Sequence, residues 1–233
     1  MKQYKHIFFD LDHTLWDFDR NAEVCLFAIY EQQQLEKKGV SSFTDFLEKF
    51  TKINRSFWER LEAKEITHEE LRQQRFGKVL EALGCGYNAL LSEQINDQFL
   101  DMLPSQSHLI EGAIEILHYL KPNYQLHILS NGFYEIQFQK MKSATIHTFF
   151  DAIVTVETAN ARKPDKEIFH SATQKVNARL EQCIMIGDTF EADIIGASNA
   201  GMDSVHFLPH ATPPLGSPAT FTIQKLEELR QIL

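Results

Sequence analysis

Short apolar runs that accompany helical patterns are the feature that most constrains the fold of this 233-residue chain. Runs of this kind, rich in β-branched side chains, are typical of buried strands. They lie at residues 7–9, 126–129, 153–156, 184–186 and 205–208. Patterns typical of helices lie at residues 112–121, 133–142, 166–176 and 191–200. Strands that are apolar on both faces and alternate with helices predict an α/β fold, with a parallel sheet covered on both sides.

The segment between Trp16 and Pro104 contains no comparable run and is predicted to be helical. Large apolar side chains recur there every three or four residues, which places them on one face of a helix. They are Phe46, Phe50, Ile53, Phe57 and Leu61. Thr67 and Glu70 have the spacing of a capping box, which predicts that another helix begins after Thr67. We therefore predict two domains, a core of residues 1–16 and 105–233 and an inserted helical domain of residues 17–104.

Charge and cysteine content limit the partners and the compartment. The chain has 23 Lys and Arg against 32 Asp and Glu, a net charge of −9, whereas nucleic-acid binding relies on clustered basic side chains. No apolar stretch approaches the roughly 20 residues of a membrane span, and residues 1–5 leave no room for a signal peptide. Three widely spaced cysteines without a C-x-x-C pair favour a reducing compartment. We expect a cytoplasmic protein that binds neither nucleic-acid polymers nor membranes.

Polar and charged side chains follow several of the apolar runs, where the strands should end. They are Asp10, Asp12, Ser130, Asn131, Lys163, Asp188 and Asp193. Taken singly, each fits a turn, a helix cap or a solvated helix start. Asp10 and Asp12 are costly together, however, because like charges this close resist joint ionisation. Open parallel sheets bind ligands outside the carboxyl ends of their strands, so the set predicts a site for a cation and a substrate there.

Four segments resemble, in order, the four motifs of the haloacid dehalogenase (HAD) superfamily. They are Asp10-x-Asp12-x-Thr14, Ser130-Asn131, Lys163-Pro164 and Gly187-Asp188-x-x-x-x-Asp193. The resemblance implies a HAD-like Rossmannoid core with a parallel sheet and an all-helical cap of the C1 type, inserted after the first motif. More narrowly, the segments at residues 130–133 and 187–193 are similar to those of YjjG-type pyrimidine 5′-nucleotidases.

The resemblance implies a Mg²⁺-dependent phosphatase. Asp10 would be the nucleophile that forms an aspartyl-phosphate, and Asp12 the general acid and base for the leaving alcohol and the attacking water. Mg²⁺, which suits hard oxygen ligands, would be held by Asp10, the backbone carbonyl of Asp12 and Asp188.

The remaining motif residues would bind the phosphoryl group or support the site. Ser130, Asn131 and Lys163 would bind the phosphoryl oxygens, over which charge is spread during transfer. Thr14 and Asp193 would support the metal ligands, or Asp193 would hold Lys163.

The acid at position 12 favours reactions whose leaving group has to be protonated. Only an alkoxide leaving group needs its proton, and the resemblance implies that dehalogenases and ATPases of the superfamily lack this acid. The implied substrate is a small phosphorylated metabolite, namely a nucleoside 5′-monophosphate with a pyrimidine base. A small sugar-phosphate phosphatase, a phosphomutase and a non-catalytic binding module stay open as alternatives.

Three further features involve residues outside the four motifs. Trp16 and Phe133 flank the motifs and can either contact the substrate or pack in the core. The loop before Lys163 lacks the glycine usual in the superfamily, but Asn160 lies in it and Asn tolerates left-handed backbone, so we expect the loop to be kept. His206 and His210 are four residues apart, but Pro209 between them argues against a helical metal pair.

Overall fold

The computed structural model describes residues 4–86, 88–209 and 211–233, and the chain divides into two compact units. The sheet unit comprises Met1–Phe18 and Ser107–Leu233, and the helical unit comprises Asp19–Gln106. Residues 1–3, which bear on the expected absence of a signal peptide, lie outside the described residues. The described part of the chain contains no helix that is long and apolar enough to cross a membrane.

Four α-helices make up most of the helical unit. They are α1 Phe18–Gln32, which begins at the last residue of the sheet unit, α2 Phe43–Glu62, α3 His68–Ala82 and α4 Ala89–Met102, with 3-10 turns at Leu35–Lys38 and Leu103–Ser105. The capping box is present: the Thr67 N–H donates to Glu70 Oε2 at 2.7 Å, and the Glu70 N–H donates to Thr67 Oγ1 at 3.2 Å. Every residue of the predicted apolar face of α2 is buried except Ile53. The predicted helices at both places are therefore confirmed.

A buried arginine joins three of these helices. The Arg75 guanidinium on α3 donates to Asn54 Oδ1 on α2 at 2.9 Å and to Asn96 Oδ1 on α4 at 3.2 Å. It also lies 5.0 Å from the centre of the Phe76 ring and 5.1 Å from that of Phe99. Burial lowers the pKa of Arg75 to about 9. The helical unit is thus held by a polar contact inside an aromatic core.

The sheet unit is built on six parallel strands in the order β3-β2-β1-β4-β5-β6. They are β1 His6–Phe9, β2 Gln125–Ser130, β3 Ala152–Thr155, β4 Cys183–Gly187, β5 Asp203–Phe207 and β6 Phe221–Ile223. Its α-helices are α5 Ala113–Leu120, α6 Tyr134–Ser143, α7 Val156–Ala159, α8 Lys166–Lys175 and α9 Gly196–Ala200. A π-helix at Phe190–Ile195 leads into α9, and 3-10 turns lie at His147–Phe149, Leu180–Gln182 and Leu226–Gln231. The α/β fold predicted from the apolar runs is confirmed.

Strand bounds differ from the prediction by one or two residues, and two of the differences have a clear physical cause. β3 ends at Thr155 rather than at Val156, because the backbone N–H of Thr155 donates to Thr158 Oγ1 at 2.9 Å and α7 begins at once. β6 was not predicted, since three residues with two exposed side chains leave no pattern to detect.

A histidine pair lies within the sheet. His6 Nδ1 on β1 and His127 Nε2 on β2 are 3.1 Å apart, and the rings are stacked with centroids at 5.4 Å. His127 is fully buried, and the Phe8 ring lies 4.8 Å from it. Burial, and then the neighbouring His6, lowers the pKa of His127 to about 4.

The strand register brings the ends of three strands to one level. Phe9 pairs with Ile128 on β2 and with Ile186 on β4, and the N–H of Asp10 donates to the Ile186 carbonyl at 2.9 Å. The strand order reverses between β1 and β4, which is the switch point where ligands of such sheets bind. Residues that follow β1, β2 and β4 therefore share one edge.

Candidate active site

A buried lysine connects two of the predicted carboxylates. Lys163 Nζ lies 2.6 Å from Asp10 Oδ1 and 2.6 Å from Asp193 Oδ1. A buried ion pair needs close geometry and further hydrogen bonds to offset desolvation, and here Asp193 Oδ2 also accepts from the Thr189 N–H at 3.0 Å. Burial would lower the pKa of Lys163, but the charges of Asp10 and Asp193 raise it well above its usual range. Lys163 is therefore a fixed cation, and Asp193 holds it in place.

Asp193 reaches Lys163 because Gly187 has no side chain. Asp193 lies in the π-helix that follows β4, and a Cβ on Gly187 would overlap its carboxylate. Only glycine fits at position 187 while Asp193 keeps this position.

Asp188 completes a group of buried carboxylates. It accepts a hydrogen bond from Thr14 Oγ1 at 3.2 Å. Burial raises the pKa of Asp188 to about 7, and Asp193 adds to this while Lys163 and Thr14 oppose it. Burial also raises the pKa of Asp10 to about 8, against the charge of Lys163 and reinforced by Asp193 and Asp188. Lys163 bonds to Asp10 and Asp193, and its charge also lowers the pKa of Asp188. A divalent cation beside these three carboxyls would favour their ionised forms.

The predicted metal ligands fit Mg²⁺ by their chemistry. Within the described ranges, no three His, Cys, Asp or Glu side chains are grouped so as to hold a metal ion. The predicted set needs only two, those of Asp10 and Asp188, together with the backbone carbonyl of Asp12. Mg²⁺ usually keeps several waters and binds one or two protein carboxylates. Two carboxylates and one backbone carbonyl oxygen are therefore a suitable set of protein ligands for it.

Asp12 is held by two side chains of α6 that the sequence analysis missed. Lys140 Nζ lies 2.6 and 2.9 Å from the two carboxylate oxygens of Asp12, and Gln137 Nε2 lies 2.9 Å from Oδ2. Burial alone would raise the pKa of Asp12, but the charge of Lys140 and the hydrogen bonds from Lys140 and Gln137 outweigh it and lower the pKa. Asp12 is therefore ionised in this structure, in the form that can accept a proton from water.

Positions 137 and 140 carried a signal in the sequence. Residues 137, 140, 141 and 144 follow the spacing of the buried stripe of a helix, and all four are buried. A glutamine and a lysine on such a stripe need polar partners. They could therefore have indicated contacts with the site.

Ser130 and Asn131 lie where β2 ends. The Ser130 Oγ accepts from the Gly132 N–H at 3.1 Å and from Gln137 Nε2 at 2.6 Å. The Asn131 side chain bonds both ways to the backbone of Lys163, accepting from its N–H at 2.8 Å and donating to its carbonyl at 3.0 Å. The Asn131 side chain thus positions Lys163, and a phosphoryl contact from Asn131 would have to come from its backbone N–H.

The remaining predicted residues have clear positions. Trp16 is fully buried, which matches packing rather than substrate contact, whereas Phe133 is 37% exposed just before α6. Asn160 has φ 50°, so the expected left-handed asparagine in the loop before Lys163 is confirmed. His206 bonds through Nε2 to the Asp188 carbonyl at 3.1 Å, and His210 lies outside the described residues.

The chain matches the haloacid dehalogenase-like hydrolases over residues 4–201. It belongs to this family. YfnB of Bacillus subtilis, which is named as a HAD hydrolase, is 30% identical over 236 residues, covering 100% of this chain and 97% of YfnB. The crystal structure of YfnB, described as bound to magnesium, has a TM-score of 0.89 at 27% identity and covers 100% of this chain and 99% of that one.

Two further relatives of this HAD hydrolase are named as pyrimidine 5′-nucleotidases. PynA of Streptococcus pneumoniae is 30% identical over 209 residues, which are 89% of this chain and 85% of PynA. YjjG of Escherichia coli is 29% identical over 229 residues, which are 97% of this chain and 96% of YjjG.

Proposed function

We propose that this HAD hydrolase cleaves phosphomonoesters through an aspartyl-phosphate on Asp10, with Mg²⁺ as its cofactor. The observation that carries the proposal is that Asp10 and Asp12, two positions apart, contact different lysines, Lys163 and Lys140, each at 2.6 Å. Their environments shift the two pKa values in opposite directions. In the metal-free protein Asp10 is therefore the carboxyl that holds its proton more strongly, and a Mg²⁺ ion bound beside it would favour its ionised, nucleophilic form.

Asp10 and Asp12 have different roles in the two half-reactions. In the first, an oxygen of Asp10 attacks phosphorus, the bond to the alcohol oxygen breaks, and Asp12 gives that oxygen a proton. In the second, Asp12 takes a proton from water, the water oxygen attacks phosphorus, and the bond between phosphorus and the Asp10 oxygen breaks, which gives phosphate and free Asp10. Because Asp12 is ionised in the free protein, it has to take up its first proton as the substrate binds.

The phosphoryl oxygens would be bound by three groups at the same sheet edge. These are the Lys163 ammonium, the Ser130 hydroxyl and the backbone N–H of Asn131. Mg²⁺, held by Asp10, Asp188 and the Asp12 carbonyl, would supply positive charge where the phosphoryl group is transferred. In this proposal the helical unit is the C1-type cap domain.

We infer that the substrate is a nucleoside 5′-monophosphate with a pyrimidine base. PynA and YjjG, both named for this activity, match 89% and 97% of the chain. Phe133 follows Ser130-Asn131-Gly132 directly and is 37% exposed, and an aromatic side chain at this place can contribute to base recognition by stacking. Such stacking is worth about 1–3 kcal/mol.

Hydrolysis of p-nitrophenyl phosphate tests the reaction class. We expect turnover with Mg²⁺, none with EDTA, and none from Asp10→Asn. Equal rates with and without EDTA would refute the metal requirement, and an active Asp10→Asn variant would refute the covalent route. Phosphorus NMR of the products separates a hydrolase, which releases phosphate, from a phosphomutase, which transfers it to a second sugar.

Phosphate release from a panel of phosphorylated metabolites tests the substrate. We expect higher kcat/KM for dUMP, UMP and dTMP than for sugar phosphates, and the reverse order would leave only the phosphatase proposal. Phe133→Ala should raise KM for nucleotides more than for p-nitrophenyl phosphate. Phe221→Ala is the matched control, since Phe221 on β6 is equally exposed at 37% and should leave both KM values unchanged.

A further inference from the structure

We propose that Gln137 and Lys140 are positioning residues that hold Asp12 and Ser130 in register, so that α6 aligns proton transfer with phosphoryl binding. The inference rests on the phosphatase activity proposed above. Both residues belong to the sheet unit and come from one helix turn, three positions apart. Neither belongs to the four motifs.

Gln137 links the two groups through a single nitrogen. Its Nε2 lies 2.9 Å from Asp12 Oδ2 and 2.6 Å from Ser130 Oγ. A carboxylate only accepts hydrogen bonds, so the amide nitrogen, and not the amide oxygen, has to face Asp12. Each of the two amide hydrogens then has an acceptor, one on Asp12 and one on Ser130.

This arrangement sets the direction of the Ser130 hydroxyl. A serine oxygen has two acceptor lone pairs and one hydrogen. Here the oxygen accepts from Gln137 Nε2 and from the Gly132 N–H, which fills both lone pairs. The Ser130 hydrogen therefore points away from these donors and is left to donate to an incoming oxygen. A phosphoryl oxygen needs a donor of this kind.

Lys140 fixes the orientation of the Asp12 carboxylate. It contacts both carboxylate oxygens, and its side chain is 5% exposed against 27% for Asp12. Its Nζ lies 4.6 Å from the centre of the Trp16 ring and 5.9 Å from that of Phe18. Lys140 is thus held by both oxygens of Asp12 and lies near both rings, so the Asp12 carboxylate has little freedom to rotate.

The amide oxygen of Gln137 suggests that this residue is not present for stability. Among the described residues, Gln137 Oε1 is buried without a hydrogen-bond partner. An unsatisfied buried group of this kind destabilises the fold. The residue type is therefore explained by the two hydrogen bonds that its nitrogen makes.

Leaving-group dependence tests the role of Lys140. Phenyl phosphate and p-nitrophenyl phosphate differ in the basicity of the leaving oxygen while the ring stays the same. Lys140→Met should lower kcat about 10²-fold for phenyl phosphate and about 10-fold or less for p-nitrophenyl phosphate, with KM little changed, because Asp12 loses the orientation that aligns its proton with the leaving oxygen. Lys140→Arg should restore most of the difference. Lys142→Met removes an exposed lysine from the same helix and should change neither rate.

The dependence on Asp12 and Ser130 distinguishes positioning from general structure. In an Asp12→Asn background, Lys140→Met should not alter the ratio of the two rates any further. Gln137→Met should lower kcat/KM for both esters, and in a Ser130→Ala background only the smaller part of that loss that acts through Asp12 should remain. Losses that multiply independently in these double variants would overturn the proposal.

Crystal structures of the protein and of its Lys140→Met and Gln137→Met variants give a second measurement that needs no activity. We expect the Asp12 carboxylate to leave its position in Lys140→Met and the Ser130 hydroxyl to change rotamer in Gln137→Met. Unchanged positions in both variants would overturn the positioning role. A wild-type protein that hydrolyses neither ester would refute the phosphatase proposal, and the crystal structures alone would then decide the role of α6.

Discussion

Replacing Asp10 with asparagine should stabilise the metal-free protein while it removes turnover. Asp10 is buried, and burial, Asp193 and Asp188 raise its pKa from 3.8 to about 8 although Lys163 opposes them. Asparagine has the same shape, can still accept a hydrogen bond from Lys163, and has no charge to desolvate. It cannot form an aspartyl-phosphate, so kcat should fall by about 10⁴-fold or more.

The size of the stabilisation follows from proton linkage. A carboxyl whose pKa is raised on folding contributes fully to stability below its unfolded pKa of 3.8, and that contribution is lost as the pH rises toward 8. At roughly 1.4 kcal/mol per pKa unit, the loss is at most about 5 kcal/mol at pH 7.5 and about 2 kcal/mol at pH 5. The amide is a weaker acceptor for Lys163 than a carboxylate, which removes about 1.5–3 kcal/mol of the gain. We therefore expect Asp10→Asn to gain about 2 kcal/mol at pH 7.5 and close to nothing at pH 5.

Urea unfolding in EDTA at the two pH values measures this difference. Ser105→Ala, a substitution outside the site, serves as the control and should show no gain at either pH. An Asp10→Asn variant that is less stable than the wild type at pH 7.5, or equally stabilised at both values, would refute the reasoning. Added Mg²⁺ should narrow the gap, because it binds the wild-type carboxylates more tightly than it binds the variant.

Three further changes test the fold around the site and in each unit. Gly187→Ala should lower the free energy of unfolding by about 3 kcal/mol and reduce kcat, because its Cβ displaces the buried carboxylate of Asp193; a fully stable, fully active variant would contradict this. Folding lowers the pKa of His127 from 6.5 to about 4, so between these two pH values the unfolded chain binds more protons than the folded protein. The free energy of unfolding should therefore fall by up to about 3 kcal/mol as the pH drops from 6.5 to 4. His127→Leu should remove this slope in urea titrations, and an unchanged slope would assign it to other groups. Asn54→Ala should cost about 1–3 kcal/mol, since it leaves a buried guanidinium N–H without an acceptor, but little in an Arg75→Met background; equal costs in both backgrounds would exclude the contact.

The sequence predicts the parts of the site that depend on strand ends, because strand ends are local. An apolar run followed by Asp10, or by Ser130, locates each residue within one position, and the parallel order then brings them together. Strand ends do not predict the contact of Lys140 with Asp12; the helical spacing of residues 137, 140, 141 and 144 indicates that position 140 is buried, but not which partners it has. Its burial depends on Trp16 and Phe18, more than a hundred positions earlier, and a lysine on a helix is normally a solvated side chain.

Hydrogen bonds between side chains and backbone atoms could not be predicted from the sequence either. The Asn131 side chain turns toward the backbone of Lys163 instead of the site, and no spacing rule indicates that choice. The end of β3 at Thr155 depends on one side-chain contact from Thr158. Such contacts are decided by competition between nearby donors and acceptors.

The place of β1 at the centre of the sheet has a consequence for biosynthesis. β1 is the first strand to leave the ribosome, but its two neighbours begin at Gln125 and Cys183. For most of translation, its apolar residues and the carboxylates after it therefore have no strand to pair with. Closing such distant contacts is slow, and an unpaired apolar strand is prone to aggregation. β1 can therefore pair on one side once β2 has been made, and on both sides only after the last residue of β4, Gly187, has been added.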